Sequence, residues 1–275
     1  MPQAFSVIMP FYRGDQADHF DKAIQSLQEQ TLIPDEVVLI QDGPVSRELE
    51  NLVRDWQGRW SAINWVQLPK NLGLSGALNA GIEAAQHEWL ARMDADDICR
   101  SDRFEKQLAL IDSDPELAIL GSWIEEFDEE MKESLAVRRL PETDAEIRSY
   151  ARWRCPFNHM TVMYRKSILQ DLGPYTNFGA VGDDYELWAR FIMANHKTAN
   201  IQENLVMARA GNSMFKNRRR GFKYLRNEIA EINALYALGL LKPWHYVFHV
   251  LVKSIVRLSP SWMVRIFYKG IRSTS

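Results

Sequence analysis

Two cysteines in 275 residues, Cys99 and Cys155, are too few for a disulfide framework and lack the paired spacing of a zinc site, so a reducing compartment is expected. No stretch approaches the roughly 18 uninterrupted apolar residues that span a bilayer. No basic run leads into a long hydrophobic segment at the start either. Met1-Pro2-Gln3-Ala4 passes straight into a strand-like segment, and a cleaved secretory signal is not expected. Internal repeats and low-complexity tracts are also missing. With 46% hydrophobic and 25% charged residues the composition is that of a globular chain, which excludes disorder. Its length suffices for a full α/β core, alone or with a helical appendage.

Acidic residues are scarce in one region only. From Leu205 to Ser275 there are 13 Lys+Arg against Glu228 and Glu231, a local net of +11. The first 204 residues hold 20 Lys+Arg and 34 Asp+Glu, a net of −14, so the overall −3 averages two different surfaces.

What the chain does have is regular alternation. Phe5-Ser6-Val7-Ile8-Met9-Pro10 reads as a buried strand ended by proline. Phe20, Ala23, Ile24 and Leu27 fall at helical spacing before Pro34. Glu36 to Ile40 is a β-branched strand running into the turn Gln41-Asp42-Gly43-Pro44. Leu49, Leu52, Val53 and Trp56 form another helical stripe. A strand over 63–68, a helix over 74–85 and a strand over 88–93 follow. This order predicts a mostly parallel sheet with helices on both faces. In such sheets ligands bind beyond the carboxyl ends of the strands. After residue 100 the spacing predicts a helix carrying Phe104, Leu108 and Ile111, an apolar segment over 117–124, a strand over 160–164, a helix over 185–194, and a largely helical basic tail.

Four consecutive strand ends carry polar or turn residues: Pro10-Phe11-Tyr12, Asp42-Gly43, the segment Asn71-Leu72-Gly73-Leu74-Ser75-Gly76-Ala77-Leu78-Asn79-Ala80-Gly81, and Arg92-Met93-Asp94-Ala95-Asp96-Asp97. Three carboxylates in four residues repel one another unless a cation neutralises them, and hard oxygen ligands suit Mg²⁺ or Mn²⁺. Asp94 and Asp96 are two apart, so at an extended strand end they would point the same way. The same residues could equally form a solvated acidic turn or a helix N-cap. A second acidic pair, Asp183-Asp184, precedes the apolar helix Tyr185-Glu186-Leu187-Trp188. It would serve as an N-cap, or as a general base at the mouth of a site.

The ordered set of these segments resembles family 2 glycosyltransferases of the GT-A fold, over roughly residues 4 to 215. The subgroup it is most similar to builds bacterial O-antigens and exopolysaccharides. The resemblance implies a Rossmann-like transferase domain over 1–215 with a helical basic tail over 216–275. Pro10, Tyr12, Asp42, Asn71, Gly73 and Asn79 would then line the nucleotide side, and Arg92, Asp94 and Ala95 the ribose and diphosphate. Asp96, with Asp94, would hold the metal. Arg103 stands where the family often places an arginine after its metal motif, or else it pairs with Glu105 or Gln107 on a helix surface. His159, before a strand, would face the acceptor and diphosphate, or serve only structurally. Asp183-Asp184 matches the family's Glu-Asp-x-x-Leu-Trp element with Asp183 in place of Glu. The family's aspartate is the base of inverting members, which points to Asp184 with Asp183 orienting it, although the roles could be exchanged.

The resemblance further implies a UDP-sugar donor, a saccharide acceptor, lipid-linked in this subgroup, and single displacement with inversion. The basic stretch from Arg209 to Arg226 could act as a lid over a diphosphate or simply as a solvated surface. The aromatic and basic segments 244–252 and 262–268 suit either an anionic membrane interface or a packing helix. A cytoplasmic location on the inner face of the cytoplasmic membrane would follow from the former. One rival is a metal-dependent nucleotidyltransferase acting on sugar phosphates, but Pro10-Phe11-Tyr12-Arg13-Gly14 lacks the Gly-rich basic loop such enzymes need. A nucleic-acid binder is disfavoured by the acidic rim and the apolar tail.

Overall fold

The computed structural model describes residues 3–179, 183–210 and 221–258. In chain order the elements are β1 (Phe5–Phe11), α1 (Ala17–Gln28), β2 (Glu36–Gln41), α2 (Arg47–Arg59), β3 (Ile63–Gln67), α3 (Gly73–Ala84), β4 (Trp89–Arg92), β5 (Ile98–Cys99), α4 (Arg103–Ser113), β6 (Leu117–Phe127), β7 (Ser134–Arg138) and α5 (Asp144–Tyr150). A 3₁₀ turn (His159–Thr161), β8 (Met163–Arg165), α6 (Lys166–Leu172), α7 (Asp183–Met193), β9 (Lys197–Arg209), α8 (Phe222–Ala237) and α9 (Pro243–Leu258) complete the described residues.

The strands form one sheet in the order β3-β2-β1-β4-β8-β6-β9-β5, with β7 paired to β6. β1 to β4 are mutually parallel where they pair, β8 runs against β4 and β6, and β6 and β9 are parallel again. Six of the nine strands thus share one direction. This is the mostly parallel sheet that the alternating pattern predicts.

The apolar stripes decide which face each helix covers. Phe20, Ala23, Ile24 and Leu27 of α1 join Val7, Met9, Val37 and Leu39 on one face. Ala77, Leu78 and Ile82 of α3 join Ile8, Val38 and Ile40 on the other. Alternate residues of β1 and β2 therefore feed opposite cores, and both strands are apolar through their middles, residues 7–9 and 37–40, because both faces are covered. Gly81 lets α3 approach closely: a Cβ there would lie 2.6 Å from the Ile40 side chain.

One sequence expectation needs correction: residues 159–161 form a 3₁₀ turn, and the strand begins only at Met163. One element goes unread in the sequence: Lys197–Arg209, ahead of the tail, is the longest strand of the sheet among the described residues, while α8 and α9 make the described part of the tail helical. The pattern of β9 mixes Asn200, Gln202, Glu203 and Asn204 with apolar residues, and its ladder to β6 shifts register three times. A clean period of two is therefore absent from the sequence. Beyond β9, Ile232 and Leu235 of α8 enter the same cluster as Leu187 and Trp188 of α7, so α8 is built into the core.

Candidate active site

In the register of the parallel strands, Phe11 stands beside Gln41, and Gln41 beside Gln67. The segments after β1, β2, β3 and β4 consequently leave the sheet along one edge. There Asp42 gathers the start of α3. Its Oδ1 accepts from the Leu72 N–H at 2.6 Å, and its Oδ2 accepts from Asn71 Nδ2 at 2.8 Å and the Gly73 N–H at 3.0 Å. The carboxylate that sequence reading aims at a nucleotide thus spends most of its accepting capacity on shaping the 71–73 loop. Gly43, at φ 81°, lies against that loop: a Cβ would sit 2.5 Å from the Asn71 nitrogen. Asn79 is also engaged. Its amide donates to the Tyr175 carbonyl at 3.0 Å and accepts from the Tyr175 N–H at 2.8 Å. Pro10 lies half-buried inside β1, which continues past the expected proline end to Phe11, and Tyr12 is exposed just beyond the strand.

The acidic loop follows directly from β4. Asp94 is half-buried, Ala95 buried, Asp96 exposed and Asp97 buried. Carboxylate oxygens of Asp94, Asp96 and Asp97 lie within 4.8 Å of one another. Desolvation and then the charge of Asp94 push Asp96 up to about 6. Burial, then Asp94 and Asp96, hold Asp97 well above the usual carboxylate range. Asp97 Oδ1 accepts from the Arg209 N–H at 2.8 Å, whereas its buried Oδ2 has no partner among the described residues. Arg209 also donates from Nε to the Asp96 carbonyl at 3.1 Å, so the end of β9 fixes this loop. Crowded like charges and an unsatisfied buried oxygen fit a hard divalent cation, with Asp96 and Asp94 as accessible ligands. Asp15, which the sequence does not mark, feels their charge: burial chiefly, then repulsion from Asp96 and Asp94, raise it to about 7.

Two arginines lie behind the loop. Arg92, fully buried, pairs with the Asp94 carboxylate, and its Nε and Nη1 have no partner among the described residues. Arg103 is also fully buried and does not pair with Glu105. It donates from Nη2 to the Arg92 carbonyl at 2.9 Å and from Nε to Gln107 Oε1 at 3.0 Å. Its place is beneath the acidic loop rather than on the cleft surface.

Because β8 runs antiparallel to β4, the turn before it lies at the same edge as the acidic loop. His159 Nε2 is 3.1 Å from the Tyr175 hydroxyl, and both rings pack on buried Trp188. Burial, then the charge of Arg92, depress His159 well below 6.5, so its imidazole is neutral at physiological pH. Asp184, in the first turn of α7, has Oδ2 3.6 Å from Cys155 Sγ. Burial raises its pKa, opposed by hydrogen bonds and by Arg138 and Arg92. Arg92 is therefore electrostatically coupled both to the acidic loop and to the Asp184–His159–Tyr175 group. Tyr175, Cys155 and Asp15 were not legible in the sequence, since lone residues between elements carry no pattern. The Asp183 side chain and residues 211–220 of the basic stretch lie outside the described residues.

The sequence profile of Glycosyl transferase family 2 matches residues 6–173. The chain is 39% identical over 272 residues to the amylovoran biosynthesis glycosyltransferase AmsE of Erwinia amylovora, covering 98% of this chain and 99% of that one. It is 33% identical over 267 residues to the UDP-Gal:alpha-D-GlcNAc-diphosphoundecaprenol beta-1,3-galactosyltransferase of Escherichia coli, covering 97% and 96%. Among solved structures, S. aureus TarS 1-349 in complex with UDP-GlcNAc superposes with a TM-score of 0.67 at 17% identity, covering 92% of this chain and 72% of that one. That likeness shows a shared fold.

Proposed function

The chain belongs to glycosyltransferase family 2, and on that premise we propose that it is an inverting, metal-dependent hexosyltransferase. It moves a sugar from a UDP-sugar to a hydroxyl of a lipid-linked saccharide during O-antigen or exopolysaccharide synthesis. The observation that carries this reading is the convergence of three carboxylates within 4.8 Å at the end of β4, on the same edge as the loop clasped by Asp42. The donor and acceptor classes rest on what the two bacterial relatives are named for.

In this reading Tyr12 and the 71–73 loop bound the nucleotide pocket, and Asp42 and Asn79 set the shape of its walls. A divalent cation, Mg²⁺ or Mn²⁺, held by Asp96 and Asp94 would supply positive charge against the departing diphosphate. Asp184 removes the proton from the acceptor hydroxyl. That oxygen attacks the anomeric carbon as the bond to the diphosphate breaks on the opposite side, so an α-linked donor gives a β-glycoside. The raised pKa of Asp184 brings its basicity closer to that task. His159, neutral, cannot compete for the proton as a cation, and it holds Tyr175 beside the base. Arg103 positions the acidic loop through the Arg92 carbonyl. Residues 1–215 form the transferase unit, and 216–275 a tail whose first helix is part of its core. No helix among the described residues is long and apolar enough to cross a membrane, and the enzyme works as a peripheral protein at the inner face of the cytoplasmic membrane.

Calorimetric binding of UDP with and without Mn²⁺ tests the donor site. Metal-dependent binding by the wild type, lost in Asp96→Ala, is expected. Equal binding by both proteins, indifferent to metal, would sink the assignment of the acidic loop.

A further inference from the structure

A second surface, away from the acidic loop, has no counterpart in the chemistry above. On α9, Trp244, Val247, Phe248, Leu251, Ile255 and Leu258 recur at helical spacing and are each between 48% and 59% exposed. The opposite side of the helix is already used: His245 is buried, Tyr246 and Val250 pack on the core, and Lys253 and Arg257 pair with buried Glu228 of α8. The apolar stripe is therefore not the face that attaches α9 to its own fold. It continues onto exposed Trp153, whose ring lies 5.3 Å from Trp244 and 5.6 Å from Phe248.

The charge around this stripe has one sign. After Glu231 the remaining 44 residues contain no Asp or Glu, and of the described cations among them Lys253 and Arg257 are matched by Glu228 of α8, which leaves Lys242 unmatched by that carboxylate. Exposed Arg152 and Arg154 flank Trp153, and exposed Lys242 immediately precedes α9. The 16 described residues of α9 span about 24 Å, less than a hydrocarbon core of about 30 Å. An apolar stripe bordered by cations is the composition of a helix that lies in a headgroup layer. A second copy of the chain would bring these same cations together across a symmetric interface, which is unfavourable.

We propose that α9 is a docking helix for an anionic lipid bilayer, its apolar stripe and Trp153 seated in the headgroup region and Arg152, Arg154 and Lys242 on the anionic headgroups. The inference deepens the reading of the acceptor as lipid-linked and rests on it. Trp153 is two residues from Cys155, whose thiol touches Asp184, so the docked face is continuous with the segment beside the proposed base. An acceptor anchored in the same bilayer would then approach from the side on which the base stands.

The test uses the full chain and vesicles of phosphatidylcholine alone or mixed with phosphatidylglycerol. Sedimentation is read at low and high salt, and calorimetric UDP binding with Mn²⁺ is measured in parallel. Wild type is expected to sediment with the anionic vesicles and to be released by salt. Phe248→Glu with Leu251→Glu is expected to weaken partitioning by about tenfold or more, and Arg152→Ala with Arg154→Ala by roughly fivefold per residue. UDP binding should be unchanged in each. Phe248→Ser with Leu251→Ser is the milder pair should the glutamates disturb α9. The proposal is overturned if wild type ignores anionic vesicles, or if the stripe variants sediment as wild type does. It is also overturned if they only convert a wild-type dimer to a monomer. Loss of UDP binding in wild type with vesicle binding intact would instead refute the donor-site reading and leave the docking helix standing.

Discussion

Replacing Asp42 with asparagine keeps the side-chain shape but removes its charge and one acceptor oxygen. In the wild type the two carboxylate oxygens serve three donors, the Leu72 and Gly73 N–H groups and Asn71 Nδ2, at 2.6, 3.0 and 2.8 Å. These donors approach different oxygens, so an asparagine can satisfy only one side. The other side must then face its amide hydrogens. A hydrogen bond to a charged acceptor contributes about 1.5–3 kcal/mol, and a buried donor left without a partner costs about 1–3 kcal/mol. The variant should therefore lose about 2–4 kcal/mol, a large part of a stability of about 5–15 kcal/mol. Urea unfolding followed by circular dichroism would show this as a lower midpoint at unchanged slope. UDP affinity should fall with it, because the 71–73 loop is no longer held. An unchanged midpoint with affinity reduced a hundredfold would refute the reasoning, since Asp42 would then act on the nucleotide directly rather than through the loop.

Gly43→Ala should strain the same loop from the other side, by about 1–3 kcal/mol, because φ is 81° and the Cβ meets the Asn71 backbone. A melting temperature equal to wild type would contradict that geometry. Asp184→Asn should lower kcat about 10²–10⁴-fold with UDP affinity retained. Since burial raises the Asp184 pKa, its basic form is lost as pH falls through that raised value. The rate should accordingly fail at higher pH than the ~3.9 of a free aspartate, and a surviving kcat would move the role to Asp183. Asp96 is held at about 6, above the unfolded value of ~3.9. Stability linked to its protonated form is thus present below ~3.9 and lost as pH rises through about 6. Near neutral pH without metal, Asp96→Asn should melt at or above wild type. Mn²⁺ should raise the melting temperature of wild type alone, and a metal-free loss of stability would reverse this account of the acidic loop.

The sequence by itself determined the parallel half of the sheet and its rim. Apolar runs such as Val37 to Ile40 and helical stripes such as Phe20, Ala23, Ile24 and Leu27 record burial that is local in sequence. The turn residues Asp42-Gly43 and Asp94 to Asp97 are legible because a strand's end fixes where its next residues emerge. The other side of the site depended on contacts that no local period encodes. β9 hides in sequence because its polar residues and shifting register break the period of two, yet its last residue, Arg209, secures the acidic loop. Asp15 matters only because β1 pairs with β4, which brings the loop after β1 to the edge of the acidic loop, and Tyr175 and Cys155 only because chain segments far apart meet α7. The sequence marks Arg103 by its resemblance to the family's arginine after the metal motif, while only the structure shows it buried under the Arg92 carbonyl. Propensity and burial leave a repeating mark along the chain. Electrostatic coupling among Asp94, Arg92, His159 and Asp184 depends on through-space distance, which tertiary packing alone sets.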